Sequence, residues 1–252
     1  MSEDEILLTH ILQCRPVDLL LKKPQLTPQQ GRRFEECKAR RLSGEPLQYI
    51  IGSWEFYGLE FKVDSRALVP RPETEILVDL AIKKFQGSRI LELGTGSGNI
   101  AVALAKFLPY VQVTTADISL EALALAMENA QRHEVESRIE FVHADMKDVT
   151  GSFDLVISNP PYIPSSELKN LPADVQQEPA IALDGGEDGL KFYRAIINRS
   201  PSLLSPGGYL MMEFGDGQAE AISSLAQKHF KNIEIYKDLT GRERVICGKI
   251  CH

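Results

Sequence analysis

Two kinds of apolar spacing take turns along most of this chain. From Ser88 onward, compact apolar runs ("RILELG", "VQVTTAD", "RIEFVHAD", "FDLVISN", "GYLMMEF", "NIEIYKDL", "RERVICGKI") are separated by stretches whose apolar residues recur every few positions ("GNIAVALAKFL", "SLEALALAMENAQRH", "DGLKFYRAIINRSPSLL", "GQAEAISSLAQKHF"). The first spacing suits buried strands and the second amphipathic helices. Strands interleaved with helices predict an α/β fold with a mostly parallel sheet of seven strands, covered by helices on both faces. The segment "DLTGRER" between the last two strands has room only for a hairpin, so the final strand must run antiparallel.

The pattern upstream is different. "EILLTHILQC" carries apolar residues at helical spacing, and "TPQQGRRFEECKARRLSGEP" opens with a threonine cap and a proline at the first helical position, closing at Gly44 and Pro46. Residues 1–45 therefore read as a small helical domain. "QYIIGSWEFYGLEFKVDSRALVP" turns to alternating aromatics and reads as a hairpin with its turn near Gly58, a linker over residues 46–70. "PRPETEILVDLAIKKF" then enters a helix through Pro72, with Glu73 and Glu75 in the first turn, and opens a domain over residues 71–252.

Composition narrows the function more than the fold. A chain of 252 residues, 43% hydrophobic and 25% charged, suits one large domain with a small appendage. Its formal net charge of -7 argues against binding bulk nucleic acid, which demands surplus Lys and Arg. The basic run Arg32, Arg33, Lys38, Arg40 and Arg41 is interrupted by Glu35 and Glu36 and reads as a solvated helix face. The acidic start has no leader pattern and no apolar run reaches the roughly 18 residues of a membrane span, so a cytoplasmic protein without a membrane partner is expected. Cys14, Cys37, Cys247 and Cys251 are scattered and read as reduced thiols. His10, His133, His143, His229 and His252 form no spaced cluster, and no metal site is expected.

Candidate chemistry collects at the strand ends. "LELGTGSGNIA" places Gly94, Thr95, Gly96, Ser97 and Gly98 in a turn before a helix, where small residues let a ligand approach the backbone. Asn99 stands where a dinucleotide fingerprint has its last glycine. Asp117 ends the second strand about twenty residues on, where a carboxylate can accept hydrogen bonds from ribose hydroxyls. "HADM" sets Asp145 and Met146 at the third strand end, where a flat base can rest. Three strand ends facing one crevice point to a nucleoside-type ligand.

The fourth strand ends in "SNPPYIP". Asn159 and Pro160 each precede a proline and are held extended, which fixes the direction of the Asn159 carboxamide and the Pro160 carbonyl. Two fixed acceptor oxygens suit an NH2 group, and Tyr162 offers a flat face for a planar one. Accepting both hydrogens of an amide or aminopyrimidine nitrogen leaves its lone pair aimed at an electrophile across the crevice. A protein amide and a nucleic-acid amino group both satisfy that description. A nicotinamide-dependent oxidoreductase is the reading from another class, against which stand Asn99 and the lack of a catalytic His or Tyr-Lys pair. A silent binding protein would have no use for the clamp.

The longer match is more specific. "GEPLQYIIGSWEFYGLEFKVDSRALVPRPETEILV", "SNPPYIP", "EPAIALDGGEDGLKFYRAII" and "DLTGRERVI" together resemble the HemK/PrmC family of protein-(glutamine-N5) methyltransferases over nearly the whole chain. The resemblance implies a class I S-adenosylmethionine-dependent methyltransferase fold (Rossmann-like) and a substrate in the Gly-Gly-Gln tripeptide of class I peptide chain release factors. It implies that Gly94, Thr95, Gly96, Ser97 and Gly98 line the methyl donor, that Asp117 holds its ribose, and that Asp145 and Met146 lie near the adenine. Asn159, Pro160, Pro161 and Tyr162 would clamp the glutamine, with Asn159 also touching the donor and with Asn159, Pro160 and Tyr162 as the catalytic set. S-adenosyl-L-homocysteine would be the product. A monomer is expected, with no metal and no direct nucleic-acid partner, and with the N-terminal helices and "PRPETE" recognising the body of the release factor.

Overall fold

The structure, a computed structural model, describes residues 1–22 and 25–251; His252 lies outside the described residues. Helices α1 (Glu3–Leu12), α2 (Pro16–Lys22), α3 (Pro28–Leu42) and α4 (Leu47–Ile51) form the N-terminal region. Thr27 caps α3 as its sequence predicts: Thr27 Oγ1 accepts from Gln30 N at 3.3 Å, while Gln30 Oε1 accepts from Thr27 N at 3.0 Å. Leu7, Ile11, Cys37, Leu47 and Ile50 close a small core between these helices. That core explains a difference from the sequence reading, in which "QYII" belonged to the hairpin. Leu47 and Ile50 lie one helical turn apart, so coiling the segment buries both, and α4 stops at Gly52 with φ +80°.

The hairpin follows as strands β1 (Ser53–Phe56) and β2 (Leu59–Lys62), joined by Tyr57 and Gly58. Both turn residues are left-handed, at φ 51° and 72°, as a tight two-residue hairpin turn requires. Helix α5 (Thr74–Lys84) begins beyond Pro72, later than the sequence suggests, because Pro72 and Glu73 form a turn ahead of it.

The remaining elements are β3 (Arg89–Leu93), α6 (Asn99–Phe107), β4 (Gln112–Asp117), α7 (Leu120–Arg132), β5 (Ile139–His143), β6 (Phe153–Ser158), α8 (Lys191–Arg199), β7 (Leu204–Glu213), α9 (Ala219–Ala226), β8 (Phe230–Lys237) and β9 (Glu243–Ile250). The seven-stranded sheet has the order β5-β4-β3-β6-β7-β9-β8, with β9 antiparallel to both of its neighbours. Helix α8 is shorter than its apolar spacing suggests. It gives way to a 3-10 turn at Ser200–Ser202, where Pro201 has no N–H to continue the helix.

Successive residues of β6 divide between two cores. Leu155 and Ile157 face α5 and α6 with Leu77 and Leu104, whereas Val156 faces α8 and α9 with Tyr193, Ile196 and Ile222. Each such buried side chain contributes about 1.5–3 kcal/mol, which fixes the sheet between two helical layers. The strand order reverses between β3 and β6, and the crevice beyond their carboxyl ends is where such folds bind ligands. Cys14, Cys37, Cys247 and Cys251 are free thiols. No helix among the described residues is long and apolar enough to cross a membrane.

Candidate active site

The glycine turn sits at the end of β3, against β4. Gly94 and Gly96 adopt φ of +82° and +54°, and a Cβ on either would meet nothing within 4 Å. Asp117, at the end of β4, is locked by backbone donors on both oxygens: Gly96 N at 3.1 Å and Ser119 N at 2.9 Å. Beneath the turn the Thr95 hydroxyl meets that of Thr115, which in turn donates to Glu92. Glu92 is fully buried, and desolvation lifts its carboxyl to about 8, against the pull of the Thr115 hydrogen bond.

Gly98 has a different task from its neighbours. A Cβ there would come within 2.8 Å of Ala126 Cβ, so this glycine lets α7 pack closely and is absent from the crevice wall. Asn129 of α7 steadies the same turn from behind. Its Nδ2 donates to Ser97 O at 2.9 Å and Lys62 O at 3.0 Å, and its Oδ1 accepts from Lys62 N at 2.7 Å, tying the hairpin to the site.

The crevice holds two adjoining cavities. The larger, about 340 Å³, is lined by Gly94, Thr95, Gly96, Ser97, Asp117, Asp145, Met146, Asn159 and Pro161. The second, about 290 Å³, is lined by Asn159, Pro160 and Tyr162 together with Glu73, Glu213 and Arg244. Asn159 belongs to both walls. Its Nδ2 donates to Thr74 Oγ1 at 3.0 Å, while its buried Oδ1 has no hydrogen-bond partner. A buried acceptor left unpaired costs free energy, and a ligand N–H would recover it.

Tyr162 is held by small neighbours. A Cβ on Gly215 would lie 2.9 Å from its ring, a Cβ on Gly189 would lie 2.4 Å from its carbonyl oxygen, and that oxygen accepts from Gln218 Nε2 at 3.0 Å. Burial lifts the Tyr162 phenol to about 12, with the nearby Glu213 adding to the effect.

Several wall residues escaped the sequence reading. Residues 66–71 line the larger cavity, and Arg71 pairs with Glu178, which also accepts from Val69 N at 2.9 Å. Glu178 is 4% exposed, and desolvation raises its carboxyl despite the guanidinium beside it. The "PRPETE" segment faces inward here: Arg71 reaches Glu178, Thr74 reaches Asn159, and Glu75 accepts from Tyr57 N at 2.7 Å. Glu213 is also buried, lifted by desolvation to about 7. A charged residue inside the apolar run "YLMMEF" was the available signal for it, as one inside "RILELG" was for Glu92. The basic run of α3 is engaged within the protein: Arg41 pairs with Glu3 at 2.9 Å and Asp174 at 3.1 Å, and Lys38 with Asp4 at 3.4 Å.

Comparison with known proteins fits this geometry. Residues 2–52 match the PrmC N-terminal domain, and residues 72–176 match the Methyltransferase small domain. The chain is 42% identical to the release factor glutamine methyltransferase of Geobacter sulfurreducens, covering 98% of this chain and 89% of that one. It is 40% identical to the protein of the same name from Moorella thermoacetica, covering 91% and 84%. A crystal structure of a methyltransferase from Pyrococcus furiosus superimposes with a TM-score of 0.60 over 85% of this chain and 98% of that one; at 20% identity it speaks for the fold alone. Identity at this level across nearly the whole length, with both family domains in place, means that the chain belongs to the release factor glutamine methyltransferase family.

Proposed function

We propose that this protein transfers a methyl group from S-adenosyl-L-methionine to the side-chain amide nitrogen (N5) of the glutamine in the Gly-Gly-Gln motif of class I peptide chain release factors, in the cytoplasm. The observation that carries the reading is the unpaired, buried Asn159 Oδ1 on the wall shared by the two cavities. The residues fit the donor. Gly94 and Gly96 leave open space before their backbone, and Asp117 is held where a ribose could donate to it. Asp145 and Met146 close the far side, and Thr95 and Ser97 complete the turn. When bound, the donor supplies a methyl carbon made electrophilic by a positively charged sulfur.

The chain's own residues act on the acceptor. Asn159 Oδ1 and the Pro160 carbonyl accept the hydrogens of the glutamine NH2, which turns the nitrogen lone pair toward the larger cavity. Tyr162 gives the planar amide a face to lie on. Holding two reactants in register saves roughly 7–11 kcal/mol of barrier, so positioning is the main device and no dedicated base is required. Hydrogen bonds that strengthen as positive charge grows on the nitrogen add to it. The N-terminal helices would dock the body of the release factor.

The test is incubation of purified protein with methyl-labelled donor and a release factor, with the modified residue mapped by mass spectrometry. Label on the Gly-Gly-Gln glutamine is the expected result. Label confined to nucleic acid in a parallel incubation would refute the protein-substrate reading.

A further inference from the structure

Asn159 is gripped from behind as well as facing the cavities. Behind its carboxamide lie Thr74, 2% exposed at the start of α5, and Glu213, 2% exposed at the end of β7. Glu213 lines the second cavity, its Oε2 has no hydrogen-bond partner, and both Thr74 and Asn159 face its carboxyl and favour its charged form. A buried carboxyl with an unused oxygen destabilises the fold, and the mechanism above gives it no task.

We propose that Glu213 and Thr74 are positioning residues that decide which end of the Asn159 carboxamide faces the acceptor. The inference rests on the reading of Asn159 given above. The two ends of a carboxamide are nearly equal in size and opposite in hydrogen-bonding sense, so shape alone does not choose between them. An ionised Glu213 only accepts. The single Thr74 hydroxyl hydrogen therefore points to it, leaving the Thr74 oxygen to accept from Asn159 Nδ2, the contact seen at 3.0 Å. Oδ1 is then forced toward the cavities. Protonation of Glu213 removes the bias: the carboxyl can donate to Thr74, the Thr74 hydrogen is freed, and the carboxamide can turn to present NH2 to the acceptor's NH2.

Several charged and titratable groups face Glu213 from the elements around it. Desolvation is the leading influence and raises its carboxyl, Glu73 adds to that rise, and Arg244 opposes it. Tyr162 and Tyr193 are close enough to feel its charge, and Arg71 lines the same cavity. The balance near 7 places the change of protonation within the range in which the enzyme can be assayed.

The experiment measures kcat and KM for methyl transfer to a release factor between pH 6 and 8.5, beside the affinity for S-adenosyl-L-homocysteine. Wild-type kcat should fall about tenfold for each pH unit well below the midpoint, as for a single required carboxylate. Glu213→Gln should flatten that limb near the low-pH rate. Thr74→Val should lower kcat by roughly 10²-fold, and Thr74→Ser should restore it, with product affinity unchanged in Glu213→Gln, whose side chain lies on the second cavity alone. A flat wild-type profile, a Glu213→Gln variant that keeps the limb, or a fully active Thr74→Val variant would overturn the inference. A wild type that methylates no release factor at any pH overturns the parent reading with it, a signature distinct from an active but pH-independent enzyme.

Discussion

Glu92 and Glu213 both end up out of water on central strands, and desolvation pushes both up, to about 8 and about 7. Their surroundings are built differently. Glu92 answers to Thr115 and, through it, Thr95, so its neighbourhood comes from two adjacent parallel strands and the turn between them. Glu213 meets Thr74, Asn159, Tyr162 and Arg244, gathered from three separate stretches of chain. The donor side is thus a local structure made largely of backbone. The acceptor side is an assembly of distant side chains, and it exists only when the whole fold does.

Asn159→Ala should give the largest effect. Removing its acceptor oxygen should reduce kcat by about 10²–10³-fold while donor affinity changes little, measured by label transfer and calorimetry. An equal loss of donor affinity would break the division between the two sides. Arg71→Ala comes next, because it strands the 4%-exposed Glu178 carboxyl without its cation. A stability loss of about 3–5 kcal/mol in urea unfolding is expected, largely recovered in the double variant with Glu178→Gln.

Gly96→Val should act on the donor side alone. A side chain there would enter the open space before the turn that the donor needs, so donor affinity should fall roughly thirtyfold, about 2 kcal/mol by calorimetry, with the acceptor clamp intact. Glu92→Gln sharpens the contrast through pH. The Glu92 carboxyl is raised in the folded state, so the fold holds its proton more tightly than the unfolded chain does. Its contribution is therefore full below the ordinary carboxylate range and is lost as pH rises through about 8. The glutamine variant should resist alkaline melting better than wild type, on the order of 2–3 kcal/mol between pH 6 and 9. Arg41→Ala should do least. Its pairs with Glu3 and Asp174 are partly exposed, so stability should change by under about 1 kcal/mol in urea unfolding.

The same contrast explains what could be read from the chain in advance. Strand and helix spacing gave the seven-stranded sheet and its antiparallel final strand because periodicity records which face of each element is buried. Gly94, Gly96, Asp117, Asp145 and Met146 were legible as strand ends at a switch point, and they do line the larger cavity. A glycine motif does not reveal which of its members packs against a helix, and here Gly98 lies against Ala126. Thr74, Glu178 and the wall over residues 66–71 were missed because their roles depend on contacts across the chain, such as Val69 with Glu178. Short α4 was missed because its reason to coil is a partner surface on α1 and α3.

The order of the last two strands carries a consequence for how the molecule comes to life. Strand β9 follows β8 in the chain yet lies between β7 and β8, pairing Val245 with Glu213 on one side and Tyr236 on the other. Until β9 slots in, β7 presents a raw hydrogen-bonding margin, an invitation to stray pairing during synthesis. A nascent chain halted after β8 would own a finished glycine turn and a half-made acceptor wall. Competence to grip the methylated residue should therefore arrive abruptly and late, with the insertion of a single strand.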